Sequence, residues 1–436
     1  MLKQFTPKSF SFRKISTSLV VIASLVAIQA PIADKAVAAE AKEEKKKRPT
    51  QLVGPTVGKK VQKAFELYSG NEEKGVESDI DGAIVVLQEI NAKKAYDKAY
   101  VSRFLAVMYA TKGDHEKESI KYLKLAVEPD ILNEVDHGEA LKLLGDLQMQ
   151  TKDYKGALVN FYAWMDFTGK NDGATWVKIA QANYELKQLD KMIVPADKAI
   201  AAFGDKPNQN PYILKLTSYY ERKKYNEAID VLETVILLFP ENKSWWTQLP
   251  MFYLLVENYP KALQTLDLAY KQGFLEKESQ IKTLANLYSS NESPYKAAKL
   301  LEKHIASGLV KRDDNNISTL ANAWHAAQHV GTAAKYYGEL AKMTGEAKHY
   351  SKQGMLLKQD EQFSKAIPAL NKALELGAKN KGRLYQSIAE SYFYQGKYKK
   401  AYIAINKAMK DPKSRKAAKG WKGFITDTAR RKNVAI

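Results

Sequence analysis

The chain has 436 residues, more than one hydrophobic core usually supports, so it must form several domains or a quasi-linear array of repeats. Hydrophobic residues make up 45% of it and charged residues 27%, which excludes wholesale disorder and a membrane-embedded body. Because the sequence contains no cysteine, it excludes disulfides, thiolate metal sites, a cysteine nucleophile and a lipid anchor on cysteine.

The first 38 residues have the three parts of a secretory signal peptide. A basic start precedes the apolar run 15–30, and Ala36-Val37-Ala38 offers a small-x-small cleavage site. An uncleaved anchor would need about 20 apolar residues, and a mitochondrial transit helix would be rich in arginine. We therefore expect residues 1–38 to be a signal peptide that is cleaved near Ala38 on export.

Residues 39–56 mix charged side chains with proline and glycine and show no amphipathic period, which is typical of a flexible linker. Beyond the signal peptide the chain stays basic: its formal charge is +19, and loss of five basic residues and one acidic residue leaves +15. The basic residues are 59 lysines and nine arginines. Since lysine lacks the planar fork that reads bases and phosphates, nucleic acid is not an expected partner.

Two interpretations of the lysine excess remain open. The lysines could form a solvated surface that keeps a long helical array soluble, or they could attract an acidic protein, peptidoglycan or anionic lipid. Charge alone does not choose between them.

From residue 57 onward the chain repeats itself. An aromatic residue is followed three residues later by alanine six times, each time ahead of an apolar stripe at helical spacing. These pairs are Tyr154-Ala157, Tyr225-Ala228, Tyr259-Ala262, Tyr295-Ala298, Phe363-Ala366 and Tyr398-Ala401. The equivalent packing positions, spaced by 33 to 38 residues, are Ala83, Ser119, Ala157, Met192, Ala228, Ala262, Ala298, Ala333, Ala366 and Ala401.

A second apolar pattern precedes each packing position, as in Trp246, Leu249 and Tyr253 before Ala262. Two amphipathic helices per repeat follow, and a small residue on the first should let the alanine of the second approach closely. Turn residues fall at the same period. Dipeptides such as Lys152-Asp153 predict the end of a first helix, and three prolines predict the end of a second. These prolines are Pro129, Pro240 and Pro412.

The pattern resembles the tetratricopeptide repeat, a unit of about 34 residues with conserved Leu-Gly, alanine and phenylalanine positions. Leu144-Gly145, Ala157 and Phe161 match it directly, and the resemblance covers about 57–412. Departures include Pro250 in the small-residue position, Met192 in place of the packing alanine and Trp164 in place of another alanine.

The resemblance implies an all-α, right-handed superhelical solenoid of about eight to ten helix pairs over 57–412. Residues 413–436 would form a C-terminal capping helix and basic tail, with Trp421, Phe424 and Ile425 covering the last apolar face.

As a whole the sequence is also similar to exported tetratricopeptide proteins of gamma-proteobacteria that are described as accessory components of the TonB energy-transduction system. The signal peptide, the lysine-rich linker, the weakly conforming repeats and stretches such as Ala-Tyr-Val-Ser-Arg-Phe-Leu-Ala at 99–106 carry this resemblance. It implies a periplasmic protein that works beside the uptake of iron chelates through outer-membrane receptors.

The sequence offers little for catalysis. It has no Gly-x4-Gly-Lys phosphate loop, no Gly-x-Ser-x-Gly elbow and no His-Glu-x-x-His zinc helix. His325 and His329 share a helix face, but Ala326 stands where a zinc protease needs its general base, and a metal site needs three or four ligands. We therefore expect that the protein is not an enzyme and that it binds no cofactor or metal.

The resemblance implies instead a concave groove that is lined by first helices and binds a protein or peptide of the cell envelope. The candidate groove residues are Lys142, Asp146, Gln181, Tyr184, Thr217, Tyr220, Asn322, His325, Met355 and Glu390. Tyr184 and Tyr220 are the favoured anchors. Some members of the family hold a peptide's terminal carboxylate with a clamp of lysine and asparagine side chains. Asn322 matches one position of this clamp, but the sequence lacks the expected basic residues beside it. The alternative is a protein that binds or assembles an envelope polymer such as peptidoglycan or polysaccharide.

Overall fold

The computed structural model describes residue 48 and residues 51–70 and 77–436. The predicted signal peptide and most of the predicted linker lie outside these residues. The described residues form helices and no strands. The helices are α1 (Pro55–Ser69), α2 (Ile80–Gln88), α3 (Ala95–Lys112), α4 (Glu116–Val127), α5 (Glu134–Gln150), α6 (Tyr154–Thr168), α7 (Gly173–Glu185), α8 (Ile193–Phe203), α9 (Gln209–Glu221), α10 (Tyr225–Leu238), α11 (Lys243–Leu255), α12 (Tyr259–Lys271), α13 (Glu278–Ser290), α14 (Pro294–Ala306), α15 (Asp314–Ala326), α16 (Val330–Thr344), α17 (Ala347–Gln359), α18 (Phe363–Glu375), α19 (Lys381–Tyr394), α20 (Tyr398–Met409) and α21 (Arg415–Arg431).

The chain forms two compact units, and the boundary falls after Ser218, inside α9. In the first unit α1 to α8 pack as four successive pairs. In the second, α11 to α20 pack as five pairs, preceded by α10 and followed by α21. Within each unit the second helix of a pair also packs on the first helix of the next, as α4 does on α5 and α16 on α17. This stacking within each unit confirms the predicted all-α solenoid.

The predicted packing position is the centre of every repeat. All ten residues assigned to it are fully buried, at 0% exposure, including Ser119 and Met192, which replace alanine. A small side chain at most of these positions lets two helices pack at close range, whereas Met192 lies in the irregular start of its second helix. The period of about 35 residues is therefore set by core packing.

Glycines on the first helices have a partner different from the one expected. A Cβ on Gly145 would lie 2.6 Å from the Phe161 ring, and one on Gly354 would lie 2.6 Å from Leu370 Cγ. Both partners lie one helical turn beyond the packing alanine. The missing side chain therefore admits a large residue of the second helix, whereas the sequence argument assigned this space to the alanine itself.

Two departures from the repeat have local consequences. Leu189–Met192 forms a short 3-10 turn before α8 starts at Ile193, so the second helix of this pair begins irregularly. Pro250 is buried inside α11, where its lack of an N–H removes one helical hydrogen bond. Both repeats keep their helix pair. In the described residues, no helix is long and apolar enough to cross a bilayer.

The turn between the helices of a pair uses one backbone conformation repeatedly. Eight such turns among the described residues place a non-glycine residue in the left-handed region. These residues are Asp114, Lys152, Lys187, Lys223, Glu257, Glu292, Gln328 and Glu361. Because Cβ crowds the following carbonyl in this region, each residue carries local strain of about 1 kcal/mol.

Replacing Lys152 with glycine should relieve this strain. Its φ is +65°, and its side chain is exposed. We expect Lys152→Gly to raise the free energy of unfolding by about 0.5–1 kcal/mol in urea denaturation. Lys152→Ala is the matched control, because alanine removes the same side chain but keeps Cβ. Equal stabilities of the two variants would contradict the strain.

Candidate functional site

Two candidate groove residues of the first unit join successive first helices by ion pairs. Lys142 Nζ on α5 lies 3.2 Å from Asp172 Oδ2, at the start of α7, and Lys178 Nζ on α7 lies 2.6 Å from Asp146 Oδ1 on α5. Burial opposes ionisation of Asp172, but hydrogen bonds from Thr175 and Lys142 hold the pKa of Asp172 below its ordinary value. Lys142 and Asp146 therefore lie on one polar wall.

The other candidates of this unit lie on α7 and α9. Gln181 and Tyr184 are half-buried, and the Lys187 ammonium lies 4.8 Å from the centre of the Tyr184 ring. The Thr217 hydroxyl donates a hydrogen bond of 2.8 Å to the Ile213 carbonyl, so it is tied to its own helix. The side chains of Gln181 and Tyr184 are thus partly exposed to solvent, whereas the Thr217 hydroxyl is already hydrogen-bonded within its own helix.

Tyr220 belongs to the second unit and is part of an aromatic cluster. Its ring centre lies 6.3 Å from that of Tyr225 and 5.8 Å from that of the fully buried Phe252. Packing therefore accounts for much of the Tyr220 ring area.

The candidates on α15 have different surroundings. Asn322 is exposed, and its Oδ1 accepts a hydrogen bond from the Tyr337 hydroxyl. Burial, with help from the Lys352 charge, lowers the pKa of His325. His329 packs its ring 5.2 Å from those of Trp324 and Tyr295, measured between centres.

Met355 and Glu390 each contact the neighbouring first helix, between α17 and α19. Ser387 Oγ lies 3.1 Å from Met355 Sδ, Lys358 forms an ion pair with Glu390, and Gln386 Nε2 donates to Glu390 at 2.9 Å. Glu390 is 8% exposed when backbone and side chain are taken together. Its carboxylate is therefore largely engaged within the protein, which makes it part of the groove wall more than a free ligand-binding group.

Sequence reasoning missed the residues that complete these walls, although a pattern pointed to them. Lys142 and Asp172 are 30 residues apart in the sequence. The partners in two further ion pairs are 32 residues apart: Asp146 pairs with Lys178, and Lys358 pairs with Glu390. Opposite charges slightly less than one repeat apart thus connect neighbouring first helices. Among the described residues, no group of three or more His, Asp or Glu side chains could hold a metal ion.

A second contact recurs at two places in the second unit, where a second helix meets the next first helix. The Tyr253 hydroxyl on α11 donates to Glu233 on α10, and the Tyr288 hydroxyl on α13 donates to Asp267 on α12. Burial and the facing carboxylate raise the pKa of both tyrosines. These phenols therefore stay protonated and act as fixed hydrogen-bond donors that hold successive pairs in register.

Arg48, from the predicted linker, contacts the first unit. Its guanidinium pairs with Asp130 and lies 4.5 Å from the Phe167 ring centre. On the other side of this contact, His137 Nε2 lies 3.2 Å from Asp130 Oδ1, and the His137 side chain is buried. Burial lowers the pKa of His137 despite the opposing Asp130 charge, and Arg48 lowers it further.

This histidine should make the first unit sensitive to acid. Because the folded-state pKa lies below the ordinary 6.5, the unfolded chain binds the proton more readily, and stability falls as pH drops through and below 6.5. Each unit of pKa difference corresponds to about 1.4 kcal/mol. We expect His137→Gln to reduce the loss of urea stability between pH 7.5 and 5.0. An unchanged pH dependence in this variant would assign the acid sensitivity elsewhere.

Comparisons with known proteins return helical repeat proteins. A tetratricopeptide repeat protein from Parabacteroides merdae is 16% identical, with 58% of this chain and 98% of that one covered and a TM-score of 0.33. YrrB, a tetratricopeptide protein with an unusual peptide-binding site, is 16% identical, with coverage of 45% and 100% and a TM-score of 0.34. The Naa15/Naa10 assembly bound to HypK-THB is 16% identical, with coverage of 82% and 59% and a TM-score of 0.44.

The sequence matches no protein-family model and no curated protein. The fold follows from the chain's own geometry: paired helices stack in sequence order, a buried packing position recurs about every 35 residues, and left-handed turns recur with it. Each of the two units is accordingly a tetratricopeptide-like helical solenoid.

Proposed function

We propose that this protein is a non-catalytic scaffold that binds a protein or peptide along its first helices. The observation that carries the proposal is the alignment of candidate groove residues on neighbouring first helices, where ion pairs join α5 to α7 and α17 to α19. Such walls present half-buried polar and aromatic side chains, including Gln181 and Tyr184, at a fixed spacing. A preformed surface of this kind favours binding, because little side-chain entropy is lost.

We further propose that the scaffold acts in the periplasm as an accessory component of the TonB energy-transduction system. The signal-peptide pattern of residues 1–38 supports export, and the overall resemblance to exported gamma-proteobacterial tetratricopeptide proteins supports the link to iron uptake. The partner would be a protein or peptide of the cell envelope.

Affinity capture from envelope extracts tests both steps. The tagged chain without residues 1–38 should recover a TonB-type energiser or its receptors in mild salt. Tyr184→Ala should reduce this recovery, whereas Tyr259→Ala, an exposed tyrosine on the second helix α12, should leave it unchanged. Recovery of no envelope protein would contradict the scaffold, and equal recovery by both variants would contradict the groove.

Sedimentation with purified cell-wall sacculi tests the alternative. A protein scaffold should remain in the supernatant, because its groove recognises side chains and backbone rather than the wall polymer. Pelleting with sacculi, without capture of any protein partner, would favour the envelope-polymer function.

A further inference from the structure

The positive charge of the chain is concentrated at its C-terminal end. Residues 397–436 contain 13 basic and two acidic residues, a net charge of +11. Residues 1–396 contain the other 55 basic and 47 acidic residues, a net charge of only +8. A tenth of the sequence therefore carries more than half of the formal excess, which a generally solvated surface does not explain.

Nearly all of these cations face solvent, and their contacts are mostly with uncharged groups. Lys397 and Arg415 donate hydrogen bonds to neighbouring carbonyl oxygens, and Lys400, Lys407 and Lys422 lie over tyrosine rings. All of the 13 except Lys422 are exposed. In the part of the chain that the structure describes, only Arg430 has a carboxylate nearby, with its Nη2 3.4 Å from Asp427 Oδ1. Elsewhere in the chain, lysines form many ion pairs with neighbouring helices, as Lys142 does with Asp172. The uncompensated charge at this end is therefore available to an external anion.

Helix α21 divides its two faces between the core and this charge. Ala418, Ile425 and Ala429 are fully buried in the packing at the end of the array. The exposed face carries Lys416 and Lys419. Because the apolar face is already used for packing, the cations are displayed on a rigid support rather than on a mobile tail.

An aromatic cluster adjoins the basic helices. It consists of Phe363, Phe393, Tyr394, Tyr398, Trp421 and Phe424. The Phe393 ring centre lies 4.9 Å from that of Phe424 and 5.8 Å from that of Trp421. Phe424 is nevertheless 49% exposed, and Tyr394 is 60% exposed. The sequence argument expected Phe424 to cover the last apolar face, whereas the structure leaves half of it outside.

We propose that residues 397–436 and the exposed rings of this cluster, here called the C-terminal basic surface, dock the protein peripherally on an anionic membrane surface. Lysine ammonium groups need no fixed partner geometry, and a lipid surface offers phosphates wherever a lysine falls. Exposed Phe and Tyr rings beside such lysines suit the headgroup layer. An acidic protein would have to match charges spread over α20, α21 and the residues after them, so the lipid surface is the better fit.

Vesicle co-sedimentation tests the proposal. The chain without residues 1–38 should pellet with vesicles of phosphatidylcholine containing one-third phosphatidylglycerol, and not with phosphatidylcholine alone. Binding should weaken steeply when salt is raised to 0.5 M, because the Debye length shortens to about 4–5 Å. Pelleting with neither vesicle, or equally with both, would overturn the proposal.

A matched pair of quadruple variants locates the surface. Changing four exposed lysines of the C-terminal basic surface to glutamine should weaken partitioning by roughly 100-fold or more, since each lysine near such a membrane contributes about 1 kcal/mol. These lysines are Lys399, Lys413, Lys416 and Lys419. The control changes four exposed lysines elsewhere and leaves the same net charge. The control lysines are Lys59, Lys155, Lys206 and Lys342.

Equal weakening by the two sets would mean that net charge alone drives binding, and the proposal would be wrong. Phe424→Ser should further weaken the vesicle binding that remains at high salt, because salt screens the lysine charges but not the apolar contact of the Phe424 ring. Binding to soluble polyglutamate tests the alternative of an acidic protein partner. If the C-terminal lysines were required for binding polyglutamate while anionic vesicles stayed free of protein, the surface would belong to an acidic protein instead.

Discussion

Phe161→Ala should lower the free energy of unfolding of the first unit by about 3–5 kcal/mol. The Phe161 side chain is fully buried on α6 and fills the space left by Gly145 on α5. Truncation removes the contact of the Phe161 ring with Gly145 and leaves a cavity that the backbone of an array cannot easily close. Urea denaturation followed by circular dichroism measures the change.

Val159→Ala is the control on the same helix, because Val159 is 68% exposed. It should change stability by less than about 0.5 kcal/mol. Since each repeat contacts only its neighbours, Phe161→Ala should also make the first unit unfold before the second. A loss of less than about 1 kcal/mol would show that this contact between α5 and α6 is not important for the repeat.

Lys358→Met should cost about 2 kcal/mol, because it leaves the Glu390 carboxylate nearly buried without its cation. Both side chains are largely shielded, with 25% of Lys358 and 11% of Glu390 exposed, so bulk water cannot replace the lost partner fully. The pair connects α17 to α19, and its loss should loosen the wall that these first helices form. Thermal unfolding at low and high salt measures the effect.

The double variant Lys358→Met with Glu390→Met separates the two contributions to this loss. It should be more stable than Lys358→Met alone, because the uncompensated charge is removed together with its partner. If the double variant were less stable than the single variant, the stability would come from the side-chain packing of Lys358 and Glu390 rather than from charge.

The sequence by itself determined the repeat. Spacing within one helix pair predicts the packing positions, such as Ala157 and Ala333. It also predicts the turn at Lys152 and the end of α10 before Pro240. This information is local, because helix periodicity and turn chemistry depend on residues less than one repeat apart. The same reasoning assigned the small residue of the first helix correctly but paired it with the alanine instead of the large side chain one turn later.

Only the tertiary structure decided which surface residues are already engaged. From the sequence, Glu390 is a carboxylate of the groove with no assigned partner. In the structure it forms an ion pair with Lys358 and accepts a hydrogen bond from Gln386. Likewise, the aromatic cluster gathers Phe363, Phe393 and Trp421 from three separate helices. The physical reason is that the crossing angle and offset between neighbouring helices set which side chains meet, and these depend on the packing of whole repeats rather than on the periodicity of any one helix.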